Sequence, residues 1–202
     1  MIIQTRVYDA PPIRRREILR YAGCDVADAA VMELMESCLT EAAGALTPKV
    51  CWRELAVDVQ GSECDFGVFS LSSRQLARNL DGCSRVILFA ATVGVGIDRL
   101  ITKYSRIAPS RALMLQAIGA ERIEALCDAF CADMEKQMGA SLRPRFSPGY
   151  GDLPLSVQKD IIALLDTPKR IGLSLNDSLM MSPTKSVTAF AGITNIAKMR
   201  QL

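Results

Sequence analysis

Between Asp25 and Ala45 the apolar residues Ala27, Ala30, Val31, Leu34, Cys38, Ala42 and Ala45 recur every three or four positions. That spacing lays them along one side of a helix and predicts an amphipathic element with Cys38 in the core. After Thr47-Pro48 the period shortens to two, with Leu55, Val57 and Val59 facing one way and Glu54, Ala56 and Asp58 the other, as in a half-buried strand. Gly61-Ser62 turns the chain, and Phe66 to Leu71 returns as a second strand, which predicts a hairpin. Ser72 followed by Gln75 is a capping-box pattern, opening a helix that carries Leu76 and Leu80 and closes at Gly82. From Arg85 to Val93 the run Val-Ile-Leu-Phe-Ala-Ala has no polar interruption, as in a buried central strand.

The longest pattern is Ala112, Leu115, Gly119, Ile123, Leu126, Phe130, Met134 and Met138, a helix spanning about 108 to 138 and stopped by Gly139. Glu121, Glu124, Asp128 and Glu135 lie towards its opposite side, the pattern of a solvated acidic stripe, with Asp128 and Glu135 in the half that runs into the next loop. Upstream, Ile2, Ile3 and Val7 suggest an edge strand within residues 1 to 10, and Pro11-Pro12 introduces a short helix from Ile13 to Tyr21. Its Arg14-Arg15-Arg16 run is either a wet face or a phosphate contact. Downstream, Leu155 to Leu165 forms a helix ending before Thr167-Pro168, and Ile171 to Leu175 and Ser186 to Ile193 read as strands around Pro183. This order implies an α+β fold: a single domain over residues 1–202, with a mostly antiparallel sheet flanked by helices and the long helix packed across it.

Composition narrows the chemistry. A chain of 202 residues can bury roughly 70% of its unfolded surface without a staple. The net charge of +2 comes from interleaved acids and bases and carries no nucleic-acid or membrane signature. No apolar run approaches the roughly 20 residues of a membrane span, and Met1 to Arg6 does not resemble a signal peptide, so the expected location is cytoplasmic. Seven scattered cysteines without a CxxC pair suit reduced thiols rather than a disulfide framework or a zinc site. The chain has no histidine, which removes Ser-His-Asp and Cys-His catalysis and the HExxH zinc helix together.

Candidate binding chemistry concentrates in Arg143-Pro-Arg-Phe-Ser-Pro-Gly-Tyr-Gly-Asp-Leu-Pro154, where three prolines and two glycines in twelve residues preclude regular helix or central strand. Such a loop either presents Arg145 as a carboxylate clamp beside the flat Tyr150 ring or serves as a stiff connector. Gly94-Val95-Gly96 follows a strand as a dinucleotide loop does, but Arg99 stands where the third glycine belongs, and a structural tight turn is the competing reading. Pro183-Thr184-Lys185-Ser186 lacks the glycines that let amides wrap a phosphate.

Arg145-Phe146-Ser147-Pro148-Gly149-Tyr150 with Pro154 resembles the Arg-x-x-Pro-Gly-Tyr-Pro-x-x-Pro signature of the activation domain of cobalamin-dependent methionine synthase. Met181-Ser-Pro-Thr-Lys-Ser-Val-Thr188 is similar to that family's Met-x-Pro-x-x-Ser-Val-Ser segment. The resemblance is close over residues 106–202 and extends to residues 1–105 only in element order. It implies a domain that binds S-adenosylmethionine and supports methylation of an oxidised corrinoid, with an electron from a flavodoxin-like reductant. By resemblance Arg145 pairs with the ligand carboxylate, Ser147 and Gly149 offer backbone contacts, Tyr150 packs beside the adenosine, and Asp128 stands near the ammonium. Ala191 falls where the family has an aromatic wall, and Gly151-Asp152-Leu153 replaces its Pro-Ala-Cys. The family's cobalamin-binding Asp-x-His-x-x-Gly motif is absent, so cobalamin or another corrinoid is expected on a partner methyltransferase subunit and the chain is expected to be a freestanding module. A non-catalytic module docking on a corrinoid protein with a degenerate pocket is the alternative, and a thiol enzyme using Cys127 or Cys131 a third reading.

Overall fold

A computed structural model describes residues 2–24 and 28–194. β1 (Gln4–Val7) is an edge strand, as the N-terminal pattern predicts, and leads through Pro11-Pro12 into α1 (Arg15–Tyr21). α2 (Ala29–Ala43) begins where the Asp28 carboxylate accepts a hydrogen bond from the Val31 amide at 2.9 Å. The start expected at Asp25 to Ala27 lies outside the described residues. β2 (Lys49–Ala56) opens earlier than the alternation indicates, because Val50, Cys51 and Trp52 are all buried and both faces of the strand are covered there.

Beyond Ala56 the chain leaves this sheet, and β3 (Asp58–Gln60), β4 (Glu63–Asp65) and β5 (Ser70–Ser72) form a separate three-stranded antiparallel sheet. The strand expected over Phe66 to Leu71 is mostly turn: the Phe66 amide bonds the Phe69 carbonyl at 3.0 Å across Gly67, which sits at φ 75°. α3 (Arg74–Asn79) corrects the capping-box expectation, since Ser73, not Ser72, accepts from the Leu76 amide at 3.1 Å while Ser72 stays in β5. β6 (Arg85–Thr92) is the central strand the apolar run predicts. In the turn after it, a Cβ on Gly94 would stand 2.0 Å from the Thr47 hydroxyl, and one on Gly96 2.1 Å from the Ala45 carbonyl oxygen. The chain's own backbone and side chains fill the place where a phosphate would lie, so Gly-x-Gly is a close-packing device leading into α4 (Gly96–Tyr104).

α5 (Pro109–Met138) is a 30-residue helix about 45 Å long, closed by Gly139 in the left-handed region. β7 (Ser141–Leu142) follows at once, then α6 (Val157–Leu165) and α7 (Thr167–Ile171). The strand expected from Ile171 is corrected by α7, which Pro168 can start because its first turn needs no amide donor. Only β8 (Ser174–Leu175) of that stretch is extended, paired with β9 (Met181–Ser182), before β10 (Ser186–Thr194) re-enters the main sheet.

The main sheet has the order β1-β2-β6-β10-β7, with every neighbour antiparallel. One face, carrying Trp52, Ile87, Phe89, Ala91 and Ala189, is covered by α1, α2, α4 and α5. The other, carrying Cys51, Leu55, Leu88 and Phe190, is covered by α3, α6, α7 and the small sheet. This is the α+β arrangement the element order implies, an antiparallel sheet flanked by helices in one domain.

The acidic side of α5 is not uniformly wet, which corrects the expectation for Glu121. Glu121 is buried and receives two bonds from Arg122, the one to Arg122 Nη2 at 2.7 Å, while that same nitrogen also bonds the Pro12 carbonyl at 2.9 Å. No described helix is long and apolar enough to cross a membrane.

Candidate functional site

The loop after α5 gets its shape from an imperfect pairing with β10. Leu142 pairs with Ile193, and Phe146 forms a bridge with Phe190. Four steps on the loop side therefore oppose three on β10, so one extra residue bulges out. The bulge lies at Pro144 and Arg145 and turns the Arg145 side chain over α5. There Nη1 bonds Asp128 Oδ1 at 2.6 Å and Nη2 bonds Glu124 Oε2 at 2.7 Å. Glu124 and Asp128 are one turn apart and meet the two ends of the guanidinium together.

A second cation completes the cluster. Arg14, just ahead of α1, bonds Asp128 Oδ2 at 2.9 Å through Nη1 and gives its backbone amide to Glu121 at 3.2 Å. One of the Arg14-Arg15-Arg16 residues thus reaches the candidate site, while Arg15 pairs with Glu36 on α2. Burial alone would raise the Asp128 carboxyl pKa, but hydrogen bonds from Arg145 and Arg14 outweigh it and hold the pKa below the usual value. Burial likewise disfavours the charge on Arg145, and the hydrogen bond and field of Asp128 more than restore it.

Two depressions meet at this ion pair, and Arg145 and Asp128 border both. One of about 180 Å³ lies between α1 and α5 and is lined by Arg14, Tyr21, Glu121 and Glu124. The other, open and about 530 Å³, lies between α5 and the loop and is lined by Cys131, Glu135, Leu142 and Pro144. The larger is within the range of small-molecule sites. Its two ionised partners of opposite sign suit a zwitterion.

The remaining loop residues form a closed knot. The Tyr150 amide bonds the Ser147 carbonyl at 3.1 Å, the Gly149 amide bonds the Leu153 carbonyl at 2.9 Å, and the Leu153 amide bonds the Tyr150 carbonyl at 3.0 Å. Ser147 is half-buried, Gly149 is exposed, and Tyr150 stands 64% exposed with its ring 6.4 Å from that of Phe146. The structure therefore brings Arg145 and Asp128 into direct contact and carries Ser147, Gly149 and Tyr150 on the same loop.

It does not bring Ala191 to the surface. Ala191 is 0% exposed in the core shared with α5, because β10 is covered on both faces. On the opposite face a Cβ at Gly192 would stand 2.8 Å from Cys83 Sγ and 2.9 Å from Leu80 Cδ2, so that space is filled by the chain itself. Glu124 and Arg14 belong to the cluster; the sequence marked Glu124 only as part of an acidic stripe and Arg14 only as part of a basic run, with nothing to join either to Arg145. The four-residue spacing of Glu124 and Asp128 could have indicated the first, whereas nothing local tells which residue of the Arg14-Arg15-Arg16 run meets Asp128, a contact that spans 114 positions. Cys127 and Cys131 lack the environment of an activated thiol. Burial pushes the Cys127 thiol pKa up, and does the same at Cys131 although Arg145 opposes it.

The family model described as "Vitamin B12 dependent methionine synthase, activation domain" matches residues 76–199, more than half of the chain. This chain belongs to that family. The MetH reactivation domain, in a crystal structure bound to AdoHcy, has the same fold with a TM-score of 0.72 at 14% identity. The likeness covers 97% of this chain and 79% of that one, so the activation-domain fold includes the N-terminal strand and helices that lie before the matched residues. No curated protein sequence matches the chain.

Proposed function

We propose that this activation-domain protein binds S-adenosylmethionine at the Arg145 groove and supports reductive methylation of a corrinoid presented by a partner domain or protein. The observation that carries the reading is Arg145 held between Glu124 and Asp128 at the edge of the larger depression. A zwitterionic amino-acid end fits this set by exchange: its carboxylate takes Arg145 while its ammonium takes Asp128 or Glu124, and the formal charge of the site is conserved. On this reading the backbone at Ser147 and Gly149, further along the same loop, and the exposed Tyr150 ring would contact the rest of the ligand.

The bound sulfonium compound supplies an already activated methyl group, so the chain needs to contribute position rather than a base. That accords with a chain without histidine, which also has no imidazole to offer cobalt. The corrinoid is then a partner's, and the electron comes from a reductant such as a flavodoxin-like protein. AdoHcy binding by the MetH reactivation domain supports the ligand class.

A second reading is favoured by one observation: Ala191 and Gly192 are closed off and Arg145 is already satisfied by two carboxylates. On that reading the chain docks on a corrinoid protein without binding the ligand. Calorimetry separates the two. Wild type is expected to bind AdoHcy, and Arg145→Ala to lose about 2–5 kcal/mol of affinity. A silent wild-type titration, with a corrinoid protein still captured, would leave the docking module standing instead.

A further inference from the structure

We infer that α3 is a brace for the Arg145–Tyr150 loop and that Asp152 is the positioning residue that latches it. The consequence for ligand affinity rests on the proposed S-adenosylmethionine site. α3 is anchored in the core by Leu76 and Leu80, both 0% exposed. The loop runs antiparallel along it and is tied at both ends.

At the N-terminal end, Asp152 Oδ1 accepts from the Ser73 hydroxyl at 2.5 Å and the Gln75 amide at 3.2 Å, and Oδ2 accepts from the Arg74 amide at 2.9 Å. A carboxylate from the loop thus serves the free amide donors with which every helix begins. At the other end, Asn79 Nδ2 bonds the Pro144 carbonyl at 3.1 Å, and Arg143 Nη2 bonds the Asp81 carbonyl at 3.0 Å. Arg145, Ser147, Gly149 and Tyr150 all lie between the two ties.

The intervening glycine shows how close the two segments run. Gly151 has φ 56°, a conformation that side-chain-bearing residues rarely adopt, and the Gln75 side-chain amide of α3 occupies the place of its Cβ, with Oε1 2.0 Å away, so a side chain there would strain the loop and displace Gln75. Gly151-Asp152 is where the sequence departs from the family's Pro-Ala after the tyrosine, and the departure supplies both the close approach and the latch. The bonds internal to the loop close it on itself but do not fix its orientation relative to α5. Arg145 fixes the start of the loop against α5 and Phe146 fixes it against β10, and beyond Phe146 the ties to α3 hold the segment that carries Ser147, Gly149 and Tyr150, with Asp152 making three of them.

The test combines hydrogen exchange on the ligand-free protein with AdoHcy titration of Asp152→Ala and Asp152→Asn. In Asp152→Ala, the amides of Tyr150, Leu153, Arg74 and Gln75 should exchange about tenfold faster while α5 and β6 keep wild-type protection, and AdoHcy affinity should fall about tenfold. Asp152→Asn retains the oxygen that serves Ser73 and Gln75 and should recover most of both effects. Unchanged loop exchange in Asp152→Ala overturns the latch, as does exchange that accelerates equally throughout the sheet and α5. A loosened loop with wild-type affinity overturns the positioning role. If wild type itself binds no AdoHcy, the ligand reading fails separately and the exchange pattern alone decides the latch.

Discussion

Glu121 and Arg122 are neighbours on α5 and both are almost wholly enclosed, with side-chain exposures of 1% and 3%. Arg122 ties the Pro11 and Pro12 carbonyls to the helix, and among the described residues Glu121 is the anion to which it bonds. Removing one member of such a pair strands a buried charge, so Glu121→Ala is expected to lower stability by about 3–5 kcal/mol, measured by urea denaturation. Replacing both, as in Glu121→Leu with Arg122→Met, should cost much less, because no charge is left behind. The acidic side of α5 was visible from sequence, but the fate of each carboxylate was not. Glu121 and Asp128 share the same stripe and a similar helical environment, and what separates them is the segment packed over them. Pro11 and Pro12 lie 111 and 110 positions from Arg122, beyond the reach of any local pattern.

Among the elements, those whose periodicity reports one exposed face were legible: α2, the outward alternation at the end of β2, and the long α5. The uninterrupted apolar run of β6 was equally clear because a strand covered on both sides has no polar residue to show. The first half of β2 failed for the same physical reason, since burial on both faces erases the alternation that would have marked Val50 to Trp52. The segment from Phe66 to Phe69 failed differently. Its aromatics suggest a strand, yet Phe66 and Phe69 stack with centroids 4.9 Å apart across a turn, and Phe66 stacks again on Phe190 at 5.2 Å. Packing overrode propensity there. The contact that joins α5 to the sheet is more conventional: Phe130 lies 5.3 Å from Trp52 and 4.8 Å from Phe89. Phe130→Ala should therefore cost about 3–5 kcal/mol in denaturant. Because Trp52 is the chain's one tryptophan, the same variant should change its native fluorescence, whereas a loss confined to the far helical layer would leave that emission as in wild type.

Across the whole molecule the candidate site is a junction of three chain segments, and Asp128 is the group that joins them. Arg14 comes from the N-terminal segment, Arg145 from the loop after α5, and both bond Asp128, at 2.9 and 2.6 Å. The resemblance pointed to Arg145 and Asp128, but the way they are held could emerge only once residues 14, 128 and 145 were folded together. This junction ties acid stability to site integrity. The Asp128 pKa lies below its ordinary value of 3.8 in the folded state, chiefly because the guanidinium bonds overcome the effect of burial. Its contribution is fully present above the ordinary value and is lost as pH falls through the lowered one. With the carboxylate half exposed, at 49%, solvent screening limits that contribution to about 1 kcal/mol. Asp128→Asn should accordingly melt below wild type at pH 7, and the gap should shrink as pH falls below about 4 and close once it is below the lowered pKa, where the folded wild-type carboxylate is neutral too. Melting curves of the two proteins from pH 7 to pH 2 test this, and a gap that stays constant over that range would show that the charge on Asp128 does not hold the three segments together.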